Sequence, residues 1–412
     1  MRVLLINNFH YLRGGSERCY FDTAKILAEK GHETAFFSMK HPQNKFSRWS
    51  KYFIDYSDYS DKNLGWGEKI KSIAKILYNF QAKKNLEKLI LKFRPEVAHL
   101  HNIYHYLSPS VIHTLKKYNI PIVVTLHDYK LISPNRELYL RGEIWEKSKP
   151  AKYYKCFFDK CAKDSYLKSL VCVLEAYLHK FLKIYERVDI FVSPSQFLID
   201  KFKDYGFKKE IIKIPNPIVN QPDILSGQAG EYILYFGRLS QEKGIADLIE
   251  AYARVKTDCK LYIVGEGPER KNLEDLTKNK DLVNEIIFKG YKSGPNLWQL
   301  VNKAKFIVFP SRWYENSPYS VIEAMGLKKI VICANLGGTG ELIKNRITGF
   351  LYKVGNIEEL ANIMKDLVEN SSKYGKIGRN AEKLIKMRNN KYSYYNSLIK
   401  IYLRLLNLKK EQ

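Results

Sequence analysis

Two glutamates in the stretch FIVFPSRWYENSPYSVIEAMG, Glu315 and Glu323, stand in the spacing E-x7-E. An apolar strand leads into a polar loop holding Glu315, and Ser317, Pro318 and Tyr319 then open a helix that carries Glu323 about one turn in. The start of such a helix offers N–H groups without intrahelical partners and a partial positive charge, which suits a phosphate. A carboxylate alongside suits the vicinal hydroxyls of a ribose or a sugar. Together they describe a nucleotide-sugar site, although the spacing alone equally fits a solvated helix face. Upstream, GRLSQEKG puts Gly237, Arg238 and Lys243 just past another apolar strand. There the guanidinium can grip phosphate oxygens in a fork and the ammonium can act as a point charge on a departing diphosphate. Each would otherwise be an ordinary surface cation.

The elements that must hold these groups repeat along the chain. Val3 to Asn7 reads as a buried strand, Gly14 and Gly15 as a turn, and the next segment as a helix with Ser16 as its expected N-cap, ending at Gly31. Strands follow at Thr34 to Ser38, Val97 to Leu100, Ile122 to Thr125 and Ile190 to Val192, with helices between, the alternation of a parallel sheet covered on both faces. TLHDY sets His127 just past one strand's carboxyl end, where open α/β sheets bind ligands. That histidine either bonds a sugar hydroxyl or phosphate, or packs within its loop. Pro215, Pro217, Pro222, Gly227 and Gly230 break regular structure and mark a linker. A second unit of the same kind follows, with strands Tyr232 to Phe236, Leu261 to Val264 before Gly265, Ile286 to Phe288 before Gly290, and the stretch described first.

A chain of 412 residues is too long for one ordinary core, and 45% hydrophobic residues suffice for two. The start, MRVLLINNFHYLRGG, reads as strand and turn, and no apolar run is long enough to span a bilayer, so a soluble cytoplasmic protein is expected. Six scattered cysteines suggest thiols and no disulfide framework. The net charge of +26 calls for an anionic partner. No nucleic-acid-binding signature is present, so nucleic acid is not expected. A helical pattern from Trp66 to Arg94 is cationic on one face, with Lys69, Lys71, Lys75, Lys83, Lys84, Lys88, Lys92 and Arg94 against Glu68 and Glu87. It is either a solvated face or a contact with an anionic membrane, which would make the protein peripheral on the inner face of the plasma membrane.

With its flanking motifs, Glu315 to Ala324 resembles the signature of retaining glycosyltransferase family 4, the glycosyl transferases group 1. TLHDY, Cys156, Cys161 and VDIFVSPSQFLIDKF resemble the acceptor domain of its bacterial surface-polysaccharide subgroup. The resemblance implies an α/β chain in the glycosyltransferase B fold, two Rossmann-like doubly wound domains facing across a cleft. The acceptor-binding domain would span 1–222, the nucleotide-sugar donor domain 223–388, and a last helix over 389–412 would cross back to the first. Catalytic roles would fall to His127, touching the donor sugar, and to Glu315, Arg238 and Lys243. Glu323 would hold the ribose diol and Glu315 the hydroxyls of the transferred sugar. The amides from Asn316 through Ser317, Pro318 and Tyr319 to Ser320 would meet the diphosphate, with Gly14, Gly15 and Gly237 closing around the donor and Gly265, Gly290 and Tyr291 lining its base.

The implied activity moves a hexose from a UDP- or GDP-sugar to a glycan or lipid-linked acceptor, with retention, in capsule, lipopolysaccharide or exopolysaccharide synthesis. Metal-dependent transferases commonly use an Asp-x-Asp motif. This chain contains none, so no metal and no cofactor are expected. Subgroup members often carry a C-x2-C pair ahead of the later cysteines, where this chain has Trp145 and Ser148, so no structural zinc is expected and Cys156 and Cys161 are left as free thiols. Two other readings stay open: an epimerase or phosphorylase on the same fold, and a non-catalytic basic scaffold.

Overall fold

The computed structural model describes residues 1–56, 66–219 and 230–410. Pro222 and Gly227 of the expected linker, and the side chains of Trp66, Glu68, Lys69 and Lys71, lie outside the described residues. The chain divides into two units. One comprises Met1–Leu138, Glu146–Pro217 and Lys391–Gln412, the other Tyr139–Trp145 and Ile218–Asn390.

In chain order the first unit has β1 (Arg2–Ile6), α1 (Gly15–Glu29), β2 (Glu33–Phe37), α2 (Trp66–Leu77), α3 (Phe80–Phe93), β3 (Val97–Leu100), α4 (Ser110–Lys117) and β4 (Ile122–Thr125). A hairpin, β5 (Tyr139–Leu140) and β6 (Glu143–Ile144), groups with the second unit, whereas reading by sequence order placed all of 1–222 together. Residues so far from the second unit in sequence carry no local sign of that grouping. The first unit resumes with α5 (Lys155–Phe158), α6 (Tyr166–Phe181), β7 (Ile190–Ser193), α7 (Gln196–Asp204) and β8 (Ile211–Lys213). Its sheet runs β2-β1-β3-β4-β7-β8 with every pair parallel. Parallel strands are covered on both faces, which is why VAHL, IVVT and IFVS are buried throughout.

The second unit continues with β9 (Tyr232–Phe236), α8 (Ile245–Val255), β10 (Leu261–Val264), α9 (Arg270–Asn279), β11 (Ile286–Gly290), α10 (Gly294–Lys303) and β12 (Ala304–Phe309). Then come α11 (Tyr319–Gly326), β13 (Val331–Ala334), α12 (Thr339–Leu342), β14 (Phe350–Tyr352), α13 (Ile357–Glu369) and α14 (Gly375–Arg388). Its sheet order is β11-β10-β9-β12-β13-β14, again all parallel. Alternation along β9 builds two cores. Ile233 and Tyr235 join one with α8 and α13, while Tyr232, Leu234 and Phe236 join the other with α11 and α14.

The final helix, α15 (Lys391–Lys410), belongs to the first unit. Its stripe of Leu398, Ile401, Tyr402 and Leu405 is buried, each side chain contributing about 1.5–3 kcal/mol of transfer free energy. Two phenols fix its register: the Tyr394 hydroxyl lies 2.7 Å from Thr23 Oγ1, and the Tyr402 hydroxyl 2.6 Å from His99 Nδ1.

Several local expectations are corrected. Helix α1 starts at Gly15, not after Ser16, because Arg18 already donates its N–H to the Gly14 carbonyl at 3.1 Å. The pattern over 66–94 is two helices, α2 and α3. Asn79 parts them by accepting from the Ala82 N–H at 2.9 Å while its own N–H donates to Ser108 Oγ and its amide to the Tyr106 carbonyl, each at 2.8 Å. Cys156 and Cys161 are not free thiols but a disulfide, since the turn after α5 returns their Cα atoms to 4.9 Å, within bridging range. Among the described residues no helix is long and apolar enough to cross a membrane.

Candidate functional site

In the second sheet, order reverses between β9 and β12, the topological switch point where open α/β sheets hold ligands beyond their carboxyl ends. The expected glycines gather there. The Gly237 N–H donates to the Val264 carbonyl at 3.0 Å, and the Gly265 N–H to the Gly290 carbonyl at 2.9 Å. Gly265 has φ +143°, and a Cβ on it would strike the Gly237 carbonyl, so only glycine lets these strand ends lie so close. Tyr291 follows and is 71% exposed. Arg238 is also exposed and, among the described residues, takes part in no ion pair.

Lys243 and Glu315 are brought together although they lie far apart in sequence. Lys243 Nζ is 2.7 Å from Glu315 Oε1, Ser311 Oγ donates to the same oxygen at 2.8 Å, and the ammonium stands 4.8 Å from the Trp313 ring centroid. Gly244 makes this approach possible. It sits at φ +65° with its backbone against the Pro310 carbonyl, which a Cβ would strike. The Arg312 N–H donates to the Glu242 carbonyl at 2.8 Å, and the Arg312 guanidinium forks onto buried Asp247, Nε to Oδ2 at 2.7 Å. Burial pushes the Glu315 carboxyl up, but the charge and hydrogen bond of Lys243, helped by Ser311, outweigh it and hold the group below the usual carboxylate range. Glu315 is therefore an anion at neutral pH.

Helix α11 starts one residue later than its sequence suggests. Pro318 is the N-cap, extended at ψ 121°, no side chain caps the end, and Ser317 lies outside it. Ile322 donates to the Pro318 carbonyl at 3.2 Å, which fixes that boundary. Asn316 to Ser320 are half-buried, as is Glu323 in the helix's second turn. The loop is braced from behind, where the Gly338 N–H donates to the Glu315 carbonyl at 2.6 Å. A Cβ at Gly338 would strike the Asn316 carbonyl, an atom of the main chain that cannot swing aside. Gly338→Ala is thus expected to destabilise the protein by about 1–3 kcal/mol, read as a lower urea midpoint at unchanged slope; an unchanged midpoint would show the loop to be pliant.

In the first unit, Gly14 and Gly15 open α1, with buried Glu17 in its first turn. His127 follows β4 and its Nε2 lies 2.8 Å from His101 Nδ1, with the two rings stacked. His101 stacks in turn on His99, whose Nε2 is 2.7 Å from Thr125 Oγ1. Burial pushes His127 down to about 3, and burial with the neighbouring His127 pushes His99 equally low, so these rings are neutral at pH 7.

Sequence reasoning missed Ser311, Arg312 and Asp247 around Glu315, and His99 and His101 behind His127. The two histidines had a legible sign, since positions i and i+2 at a strand end share a face. The Arg312–Asp247 pair had none. Two side-chain sets could hold a metal ion: Cys19, His101 and His127, and His105, Cys172 and Glu175, the ligand atoms of each lying within 4.8 Å of one another.

The family model for Glycosyltransferase Family 4 matches residues 13–220, and that for Glycosyl transferases group 1 matches 220–384. A Klebsiella pneumoniae protein described as an uncharacterized 42.6 kDa protein in the cps region is 29% identical over 378 residues, covering 88% of this chain and 92% of the relative. A Campylobacter jejuni N-acetylgalactosamine-N,N'-diacetylbacillosaminyl-diphospho-undecaprenol 4-alpha-N-acetylgalactosaminyltransferase is 33% identical over 140 residues, 34% of this chain and 38% of that one. Among solved structures, sucrose-phosphate synthase from Thermosynechococcus elongatus matches with TM-score 0.72 at 18% identity, covering 99% of both chains. Anabaena Alr3699/HepE in complex with UDP matches with TM-score 0.69 at 18% identity, covering 97% of this chain and 99% of that one.

Proposed function

The chain belongs to glycosyltransferase family 4, with a group 1 glycosyl transferase module as its second half and the glycosyltransferase B fold, and from that premise we propose that it moves a hexose from a nucleoside-diphosphate sugar to a glycan or lipid-linked acceptor in surface-polysaccharide synthesis. The observation that carries the donor assignment is the Lys243–Glu315 pair standing at the switch point with α11. A leaving diphosphate needs positive charge, and Lys243, exposed Arg238 and the amides at the start of α11 supply it without a metal. Glu323 takes the ribose diol. Glu315 accepts from Lys243 and Ser311 through Oε1, and Oε2 is the atom assigned to a hydroxyl of the sugar. Gly237, Gly265, Gly290 and Tyr291 border the base.

The first unit serves the acceptor, with Gly14 and Gly15 at the start of α1 suited to a phosphate and neutral His127 a hydrogen-bonding group for a sugar. Glu315 and Glu323 both take hydroxyls in this reading and neither serves as a nucleophile, and a front-face transfer with retention, the leaving phosphate taking the acceptor's proton, fits this set of cations. The relative in a cps region and the Campylobacter enzyme acting on a diphospho-undecaprenol glycan support an acceptor of bacterial surface-polysaccharide type.

Calorimetry of UDP and GDP, with and without EDTA, tests the reading on wild type and Glu323→Ala. One nucleoside diphosphate is expected to bind regardless of chelator. Its affinity should fall about 10- to 100-fold in the variant, the worth of a charged hydrogen bond. Absence of binding by either nucleotide would replace this reading with that of a non-catalytic scaffold.

A further inference from the structure

Helix α6 turns its apolar stripe away from the protein. Tyr166, Leu167, Leu170, Leu174, Tyr177 and Phe181 fall within an arc of about 100° on a helix of 3.6 residues per turn. All are exposed, Leu167 to 55% and Phe181 to 82%. The face that α6 buries carries Ser169, Glu175 and His179 beside a single valine, Val173. A helix with water on its outer side shows the reverse pattern. The inversion is supported by charge pairing and backbone bonding within: Glu175 is ion-paired with Lys130 at 2.8 Å, Ser169 Oγ accepts from the Ala162 N–H at 3.0 Å, and His179 bonds the backbone of Leu77. Helix α5 widens the ridge with exposed Tyr154 and Phe158, its Tyr154 N–H donating to the Tyr177 hydroxyl at 3.3 Å. A continuous apolar face of this extent calls for a cover.

Charge identifies the cover. Exposed Lys163 and Lys168 flank one end of the ridge and Lys180 and Lys183 the other, while the Lys160 ammonium stands 4.5 Å from the Tyr166 ring centroid. Asp164 is the exposed acid among them, and Asp159 is already held by Lys147 at 3.0 Å. Past the end of α6 a pocket of about 630 Å³ has Lys180, Lys183, Lys208 and Lys209 in its wall, with Glu186 as the acid there that Lys130 does not hold. A second copy of a chain at +26 would bring the same charge to this rim and be repelled. An anionic bilayer offers an apolar interior beneath a negative surface.

We propose that α5 and α6 dock the protein on an anionic lipid bilayer, the ridge entering at headgroup depth and the flanking lysines meeting lipid phosphates. Helix α3, with exposed Lys84, Lys88 and Lys92, adds attraction at longer range. Aromatic and leucine side chains between lysines are what an interfacial helix presents.

The test is flotation of the full chain with vesicles of phosphatidylcholine alone or mixed with phosphatidylglycerol. Wild type is expected to float with the mixed vesicles only. Leu170→Glu/Leu174→Glu/Phe181→Glu and Lys163→Glu/Lys168→Glu/Lys180→Glu/Lys183→Glu should each lose about tenfold or more in partition, with thermal midpoints unchanged because every altered side chain is exposed. Phe181→Ser alone serves as the milder variant if the triple one unfolds. Lys84→Glu/Lys88→Glu/Lys92→Glu on α3 should lose less. Wild type staying in solution with mixed vesicles, or a loss confined to the α3 variant, would overturn the proposal. So would a wild-type dimer in size-exclusion chromatography that the apolar variant converts to monomer, which would make the ridge a contact between copies.

Discussion

Replacing Lys243 by methionine is expected to lower kcat/KM by about 10²- to 10³-fold, the cost of removing one group that stabilises charge developing in a transition state. The same change has a second, separable effect. Glu315 is 8% exposed, and its low pKa depends on Lys243 overcoming burial. Without the ammonium, burial prevails and the carboxyl's folded pKa rises above its unfolded value. In wild type the depressed pKa contributes stability that is present above the unfolded carboxylate range and lost as pH falls through the folded value; in Lys243→Met the sign reverses, and stability falls as pH rises through about 4–5. The difference in urea midpoint between wild type and variant should therefore widen as pH rises through that range. The double variant Lys243→Met/Glu315→Gln should regain most of the stability and none of the activity. Recovery of activity in the double variant would reduce Lys243 to a structural partner of Glu315.

Lys130→Met is expected to destabilise the protein by about 3–5 kcal/mol, because it leaves a buried carboxylate without its cation. Lys130 and Glu175 are both buried and 2.8 Å apart, with His105 Nδ1 3.3 Å from the same carboxylate oxygen. Burial pushes Glu175 up, yet His105 and Lys130 together pull it well below the carboxylate range. Burial likewise pushes Lys130 down and Glu175 more than restores it, so the pair is ionised. A depressed carboxylate pKa stabilises above its unfolded value, so the stability difference between wild type and Lys130→Met should be level from pH 7 down to about 5 and shrink below, whereas the neutral buried histidines already lower the stability of both proteins as pH falls through about 6.5. Lys130→Met/Glu175→Met should recover to wild type or better, since an apolar pair of similar volume needs no desolvation of charge. A single variant as stable as wild type would mean that water reaches the site.

The sequence made the strands plain where parallel packing demands unbroken apolar runs, as in YILYF of β9 or LYIV of β10. Two later strands escaped. VICA of β13 is no shorter than LYIV and FLY of β14 has three residues, and their pairing with β12 and with each other shows them as strands. Glu315 and Lys243 were legible as candidates from their loops, but their bond was not, because it spans 72 positions and depends on Gly244 meeting Pro310. Apolar spacing carries a further ambiguity, visible in two helices of one unit. Leu86, Leu89, Ile90 and Phe93 of α3 face the core, while the equally periodic stripe of α6 faces out. Periodicity reports that a helix has two sides; which side meets the protein depends on partners such as Lys130 that lie elsewhere in the chain.

Helix α15 has a bearing on the order in which the protein matures during translation. The first unit is completed by residues 391–412, made after all of the second. A domain emerging from the ribosome folds as a unit when its last contacts are available. The continuous stretch from Ile218 to Asn390 can therefore collapse first, while β1, β3 and α1 wait for the phenols of Tyr394 and Tyr402. Until then His99 and Thr23 lack their final partners. The half of the chain that is synthesised first is thus the half that matures last.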